Sequence, residues 1–213
     1  MIFCIAVSAG LSALLCFLGK RAGVLDSGDG ERKLQTSPAV PIGGVAIYSA
    51  FMLSMTLQNV SGKLPFSGAP TVVPIPSVQS DSLLAFLAFS GGGVALFGFL
   101  DDLRPMKPAV KLLLQSVCLA LGIPLFSAAS GAGGISLFLL FLFLILSINV
   151  YNLIDGIDGL CASVCAVSFC ILAVSTGFSG CVLLFFAALG FLPFNLPPAR
   201  CYLGASGSQF LGL

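Results

Sequence analysis

The sequence predicts an all-α fold: a polytopic transmembrane helical bundle of about seven full spans and an incomplete eighth, in a single domain over residues 1–213. Three observations predict it. Apolar residues make up 58% of the chain and charged residues only 8%, and mean hydropathy is +1.11, well outside ordinary soluble usage. Long apolar runs recur from one end to the other, divided by Gly and Pro. Basic residues gather on alternate connections between those runs.

The first run, Ile2 to Leu18, has no basic segment before it; Lys20 and Arg21 follow it, and further apolar runs come after. An uncleaved first span fits this better than a signal peptide. Taking each run in turn, the expected spans are 1–18, 42–58, 82–100, 109–126, 135–153, 159–175 and 181–194, with a partial one from 206.

The connections 19–41, 101–108, 154–158 and 195–205 fall on one side of that arrangement. They carry Lys20, Arg21, Arg32, Lys33, Arg104, Lys107 and Arg200, with Lys111 just inside the adjoining span; only Lys63 falls opposite. The positive-inside bias makes the loaded side cytoplasmic and the N-terminus external, in an inner or plasma membrane. A net charge of +1, with no basic tail or stripe, argues against a nucleic-acid partner.

Polar residues cluster on that same side. Asn149, Asn152, Asp155 and Asp158 recur every three residues at the end of an apolar span, so a helical run places them along one side. Such groups are costly to leave unpaired in a membrane, and four of them exceed what a helix cap needs. Asp101 and Asp102 follow a span containing Gly91, Gly92, Gly93 and Gly98. Adjacent carboxylates repel unless a cation, a proton or basic groups offset them, and with Asp155 and Asp158 they would make an oxygen-rich site for a hard cation such as Mg²⁺. Solvated turn residues are the plain alternative. A third cluster runs from Asn195 through Pro197, Pro198 and Arg200 to Gly204, Ala205, Ser206, Gly207 and Ser208. There Arg200 could bind phosphate or simply snorkel to the interface. The chain has no His, and its eight Cys follow no metal-ligand spacing; small packing residues explain them best.

Taken together, Arg32-Lys33 with Pro38 to Gly44, Asp101-Asp102 with Pro108 and Lys111, Asn149 to Leu160, and Phe194 to Gly212 resemble the polyprenyl-phosphate N-acetylhexosamine-1-phosphate transferase family, most closely its undecaprenyl-phosphate GlcNAc-1-phosphate branch. The resemblance implies transfer of a sugar 1-phosphate from a UDP-N-acetylhexosamine to a membrane polyprenyl phosphate, with release of UMP and with Mg²⁺ as cofactor. It implies Asp101 and Asp102 as the catalytic pair, Asp101, Asp102 and Asp155 as metal ligands, and Lys111, Asn149, Asn152, Asp155, Asp158, Asn195 and Arg200 as substrate-binding residues. Membrane lipids are the surrounding partners, and a homo-oligomer stays open.

The chain also departs from the family's pattern. Ala205 stands where the family carries an Asp that resembles a direct Mg²⁺ ligand, and Gln35 stands where it carries a His. Family members continue through further spans beyond the position of Leu213, so this chain is expected to be C-terminally incomplete. A noncatalytic lipid- or nucleotide-binding membrane protein is therefore the alternative function.

Overall fold

The computed structural model describes residues 2–24, 38–61, 80–130 and 132–213. Arg32, Lys33, Gln35 and Lys63 lie outside the described residues. Among the described residues the elements are all helical: α1 (Ile2–Arg21), α2 (Gly43–Ser61), α3 (Ser80–Phe86), which continues through a π-helical turn (Leu87–Gly91) into α4 (Gly92–Leu103), then α5 (Pro108–Ser130), α6 (Ile135–Ile154), α7 (Leu160–Thr176), α8 (Ser179–Asn195) and α9 (Gly204–Leu211).

These positions coincide with the expected apolar runs to within a few residues, but the expected count of spans is corrected. Among the described residues four helical stretches are long and apolar enough to cross a membrane: Ile2–Arg21, Asp81–Leu103, Pro108–Ser127 and Ile135–Ile154. The reasons are length and composition. Helices α7 and α8 have 17 residues each, roughly 25 Å against a hydrocarbon core of about 30 Å. Helix α2 is long enough, but Gly43, Gly44, Gln58 and Asn59 dilute its apolar content. The expected incomplete eighth span is α9, whose eight residues are all buried inside the bundle. With several apolar membrane-spanning helices, the chain is a multi-pass membrane protein.

Each long helix divides its surface between protein and lipid. In α6 only Leu144 and Ile148 are buried, while Phe138, Leu139, Phe143, Leu146 and Leu153 are exposed. An apolar face of that extent needs hydrocarbon against it. Helix α1 packs through small residues instead: Cys4, Ser8, Ser12 and Cys16 are buried at four-residue spacing. The Ser8 hydroxyl donates to the Ala187 carbonyl at 2.6 Å and the Cys4 thiol to the Leu183 carbonyl at 3.4 Å, both on α8. Close approach of two helices through small side chains is how membrane helices gain packing without a hydrophobic driving force. All eight cysteines are free, which fits that packing role.

The π-helical turn between α3 and α4 disturbs the regular ladder, and neighbouring helices brace it. The Tyr48 hydroxyl donates to the Ala88 carbonyl at 3.1 Å, and the Ser90 hydroxyl donates to the Cys118 carbonyl of α5 at 3.2 Å. Backbone groups freed by a π turn need such partners when water is absent.

Candidate functional site at one end of the bundle

The start of α2 and the segment before α9 are tied together by backbone, and a thiol near the end of α1 joins them. Val40 and Cys201 form an isolated parallel bridge; Tyr202 N–H donates to the Val40 carbonyl at 2.9 Å, and Gly43 and Gly44 N–H donate to the carbonyls of Tyr202 and Leu203 at 3.0 and 2.9 Å. The first amides of a helix have no partner within it, so residues 202–203 complete the start of α2. The Cys16 thiol donates to the Arg200 carbonyl at 3.1 Å, bringing α1 to the same end.

Asp102, in the last turn of α4, does for α9 what Tyr202 and Leu203 do for α2. Its Oδ1 accepts Ala205 N–H at 2.9 Å and its Oδ2 accepts Ser206 N–H at 3.2 Å. A carboxylate on the first amides of a helix also meets the positive end of the helix dipole. The approach requires glycine at 204, where φ is +74° and a Cβ would come within 2.6 Å of Asp102 Oδ2.

Asp101 faces the other way. Its Oδ1 accepts Met106 N–H at 2.8 Å, closing the turn into α5, and its Oδ2 forms an ion pair with Lys111 Nζ at 2.7 Å. Lys111 Nζ also donates to Asn152 Oδ1 at 3.3 Å. The Ser208 hydroxyl lies 3.2 Å from that same oxygen and 3.0 Å from the Gly204 carbonyl. One polar path therefore joins α4, α5, α6 and α9, with the single ammonium of Lys111 at its centre.

The remaining expected residues are near this path but differently employed. Asn149 donates to Gln115 Oε1 at 2.9 Å and to the Ile145 carbonyl at 2.8 Å, and Gln115 donates to Gln209 Oε1 at 3.1 Å. Asn195 is buried and ties two loops: its Oδ1 accepts Gly159 N–H at 3.2 Å, and its Nδ2 donates to the Cys201 carbonyl at 3.1 Å. Asp158 Oδ2 accepts Ala199 N–H at 3.1 Å, while its Oδ1 is buried without a hydrogen-bond partner. Asp155 follows the last residue of α6. Arg200 is exposed; its N–H donates to the Phe194 carbonyl at 2.8 Å.

Asp101, Lys111, Asn152 and Ser208 are thus in direct contact, and Asp102 joins them through α9. Asp155 stands at the end of α6, and among the described residues no group of three or more acidic, Cys or His side chains is gathered in one place. Both oxygens of Asp101 and both of Asp102 already accept hydrogen bonds from the chain itself. Gln115 and Gln209, each 1% exposed, were not singled out from the sequence. The signal that could have found them is a lone amide within an apolar helical run, which demands a partner. A cavity of about 240 Å³ lies elsewhere, against Phe3, Cys4, Ser54 and Gln58, toward the far end of α2.

A family model described as glycosyl transferase family 4 matches residues 83–213, more than half of the chain, from within α3 to the last described residue. The chain is 28% identical over 209 residues to the undecaprenyl-phosphate alpha-N-acetylglucosaminyl 1-phosphate transferase of Thermotoga maritima, covering 97% of this chain and 60% of that protein. It is 30% identical over 216 residues to the decaprenyl-phosphate N-acetylglucosaminephosphotransferase of Mycolicibacterium smegmatis, covering 86% of this chain and 50% of that one. A shorter stretch of 68 residues is 43% identical to the phospho-N-acetylmuramoyl-pentapeptide-transferase of Staphylococcus saprophyticus, covering 29% of this chain and 21% of the relative. The chain spans 60% or less of the length of each of these relatives.

Proposed function

We infer, because this chain belongs to glycosyl transferase family 4, that its polar end receives the anionic groups of a polyprenyl phosphate and a UDP-N-acetylhexosamine. The general activity of the family is transfer of a sugar 1-phosphate onto a polyprenyl phosphate. The observation that carries the reading is Lys111, whose ammonium is held between Asp101 and Asn152 where four helices converge. A fixed cation at the end of apolar helices suits a phosphate on a lipid that lies along them.

In the reaction proposed, an oxygen of the polyprenyl phosphate attacks the phosphorus that bears the sugar. The bond from that phosphorus to the bridging oxygen breaks, and UMP leaves with the oxygen and its electron pair. Lys111 would draw phosphate oxygens to the site, and the exposed side chain of Arg200 would offer a second positive charge. Asp101 and Asp102 would orient these donors, while Asn149, Asn152, Asp155, Asp158 and Asn195 would shape the nucleotide-sugar side. GlcNAc and undecaprenyl phosphate are proposed from the likeness to the Thermotoga undecaprenyl-phosphate alpha-N-acetylglucosaminyl 1-phosphate transferase. Lys20, Arg21, Arg104, Lys107, Lys111 and Arg200 all belong to this end of the helices, which supports a cytoplasmic orientation in an inner or plasma membrane. Mg²⁺ is the ion that diphosphate chemistry would draw on, although among the described residues no group of three or more acidic, Cys or His side chains is gathered to hold it.

A second reading is binding of the same ligands without turnover. It is favoured by the engagement of the Asp101 and Asp102 oxygens within the fold. Radiolabelled transfer from UDP-GlcNAc to undecaprenyl phosphate, with UMP release followed in parallel and Mg²⁺ supplied, separates the two. Transfer that Lys111→Ala abolishes supports the first reading. Saturable UDP-GlcNAc binding with no UMP supports the second, and absence of both binding and transfer rejects the site.

A further inference from the structure

The geometry points to Asp102 as a positioning residue that docks α9 onto α4, and to the Lys111 ammonium, in place of a divalent cation, as the charge that holds the polar end together. This goes beyond the functional reading above and does not rest on it.

A bound Mg²⁺ takes six oxygens in octahedral array, most of them from water or substrate phosphates but at least one or two from carboxylates turned toward it. Asp102 is turned toward backbone: both its oxygens accept amides from the first turn of α9, and Gly204 has no Cβ to keep them apart. Ala205, which donates one of these amides, brings a methyl group but no side-chain oxygen. Asp101 is turned away, toward Met106 N–H and Lys111. The repulsion expected between adjacent carboxylates is thus met on one side by a helix N-terminus and on the other by an ammonium. No third acidic, Cys or His side chain among the described residues joins them.

Two consequences follow. Helix α9 is buried along its whole length and packs against α2, α4 and α6, so its position is set at its start by Asp102 and maintained by packing along its sides. And the site keeps its shape when divalent cations are removed, because its counter-charge is covalently part of α5.

The experiment uses the full chain purified in detergent micelles, with Mn²⁺ standing in for Mg²⁺. Equilibrium dialysis with paramagnetic detection of free Mn²⁺ measures ions bound per chain, at up to about 0.1 mM free ion. Amide hydrogen exchange at Ala205 and Ser206 is measured with EDTA and with Mn²⁺. The expected result is no ion bound through Asp101 or Asp102, and exchange at both amides that is indifferent to Mn²⁺. Exchange should rise about tenfold or more in Asp102→Ala, which removes both acceptors, and by less in Asp102→Asn, which keeps one oxygen. One Mn²⁺ per chain that is lost in Asp101→Asn or Asp102→Asn would overturn the inference. So would unaltered exchange in the Asp102 variants. An ion retained in both Asn variants sits elsewhere and leaves the inference standing. If Asp102→Ala does not fold, the dialysis on the unaltered chain and the exchange of Asp102→Asn still decide.

Discussion

Gly44 and Gly207 lie backbone to backbone: a Cβ built on Gly44 would overlap the amide nitrogen and Cα of Gly207. This contact sets the distance between the start of α2 and the buried helix α9, whose first-turn amides Asp102 receives. Backbone cannot yield as a flexible side chain can, so Gly44→Ala should displace α9 at a cost of about 3 kcal/mol or more. Gly10, in α1, has nothing within 4 Å of an added Cβ. Gly10→Ala should be neutral or stabilise slightly through helix propensity. Thermal unfolding in one detergent compares the two; equal melting temperatures would mean that α9 is not held against α2.

The amide chain Asn149–Gln115–Gln209 joins α6, α5 and α9 inside the bundle. Gln115→Leu removes the middle member: Gln209 Oε1 loses its donor inside the bundle, while Asn149 keeps its bond to the Ile145 carbonyl. The expected loss is about 1–3 kcal/mol, above the average of about 0.6 kcal/mol for hydrogen bonds between membrane helices, because a buried acceptor is left unpaired. Adding Gln209→Leu to Gln115→Leu should cost less than the sum of the two single changes, since the unpaired acceptor disappears. Unfolding in mixed detergent micelles supplies the four stabilities of the cycle. Strict additivity would show that the amides act independently.

Where the helices lie was legible in the sequence because apolar runs and Gly/Pro boundaries are local signals. How many of them cross a membrane was not, because a run of 17 apolar residues and one of 20 look alike until their ends are known. Burial of α9 was hidden for another reason: hydropathy records what a segment contains and not what covers it, and α9 contains Gly, Ser and Gln. The importance of Asp101 and Asp102 could be read from two charges placed directly after an apolar span. Their employment could not, since the amides that Asp102 receives are more than a hundred residues further along the chain. Gln115 and Gln209 escaped notice because each is a single amide, and only their pairing makes either one informative.

Cys201 offers a reading of how tightly the segment before α9 is closed. It is fully buried, its thiol donates to the Val40 carbonyl at 3.2 Å, and burial pushes its pKa up from an ordinary 9.0 to about 12. The folded chain therefore holds this proton more tightly than the unfolded chain does. The stability contributed is fully present below pH 9.0 and is lost as pH rises toward about 12. Two results are expected. Iodoacetamide at pH 9 should spare Cys201 in the folded protein and modify it in denaturant, as followed by peptide mass spectrometry. The melting temperature should also fall between pH 9 and 12, and fall less in Cys201→Ala. Rapid alkylation of Cys201 in the folded state would show that the loop opens freely.

Ala205→Asp tests the balance of charge at the start of α9 from the opposite direction. The new carboxylate would enter the first turn of a helix, a placement that normally gains about 0.3–1 kcal/mol from the helix dipole. Here, however, Asp102 already occupies that end, with its Oδ1 2.9 Å from Ala205 N. Two like charges about 4 Å apart repel by up to ~4 kcal/mol near a protein surface, which exceeds the dipole gain even after generous screening. The variant should therefore melt below the unaltered chain in EDTA. A divalent cation that bridges the two carboxylates would reverse the effect, so millimolar Mg²⁺ should raise the melting temperature of Ala205→Asp and leave that of the unaltered chain where it was. Removing the repelling partner should cancel both behaviours: Asp102→Asn/Ala205→Asp should show neither the repulsion-dependent part of the destabilisation nor the Mg²⁺ response. Equal stabilisation of the unaltered chain and of Ala205→Asp by Mg²⁺ would contradict the charge arrangement built from Asp101, Asp102 and Lys111.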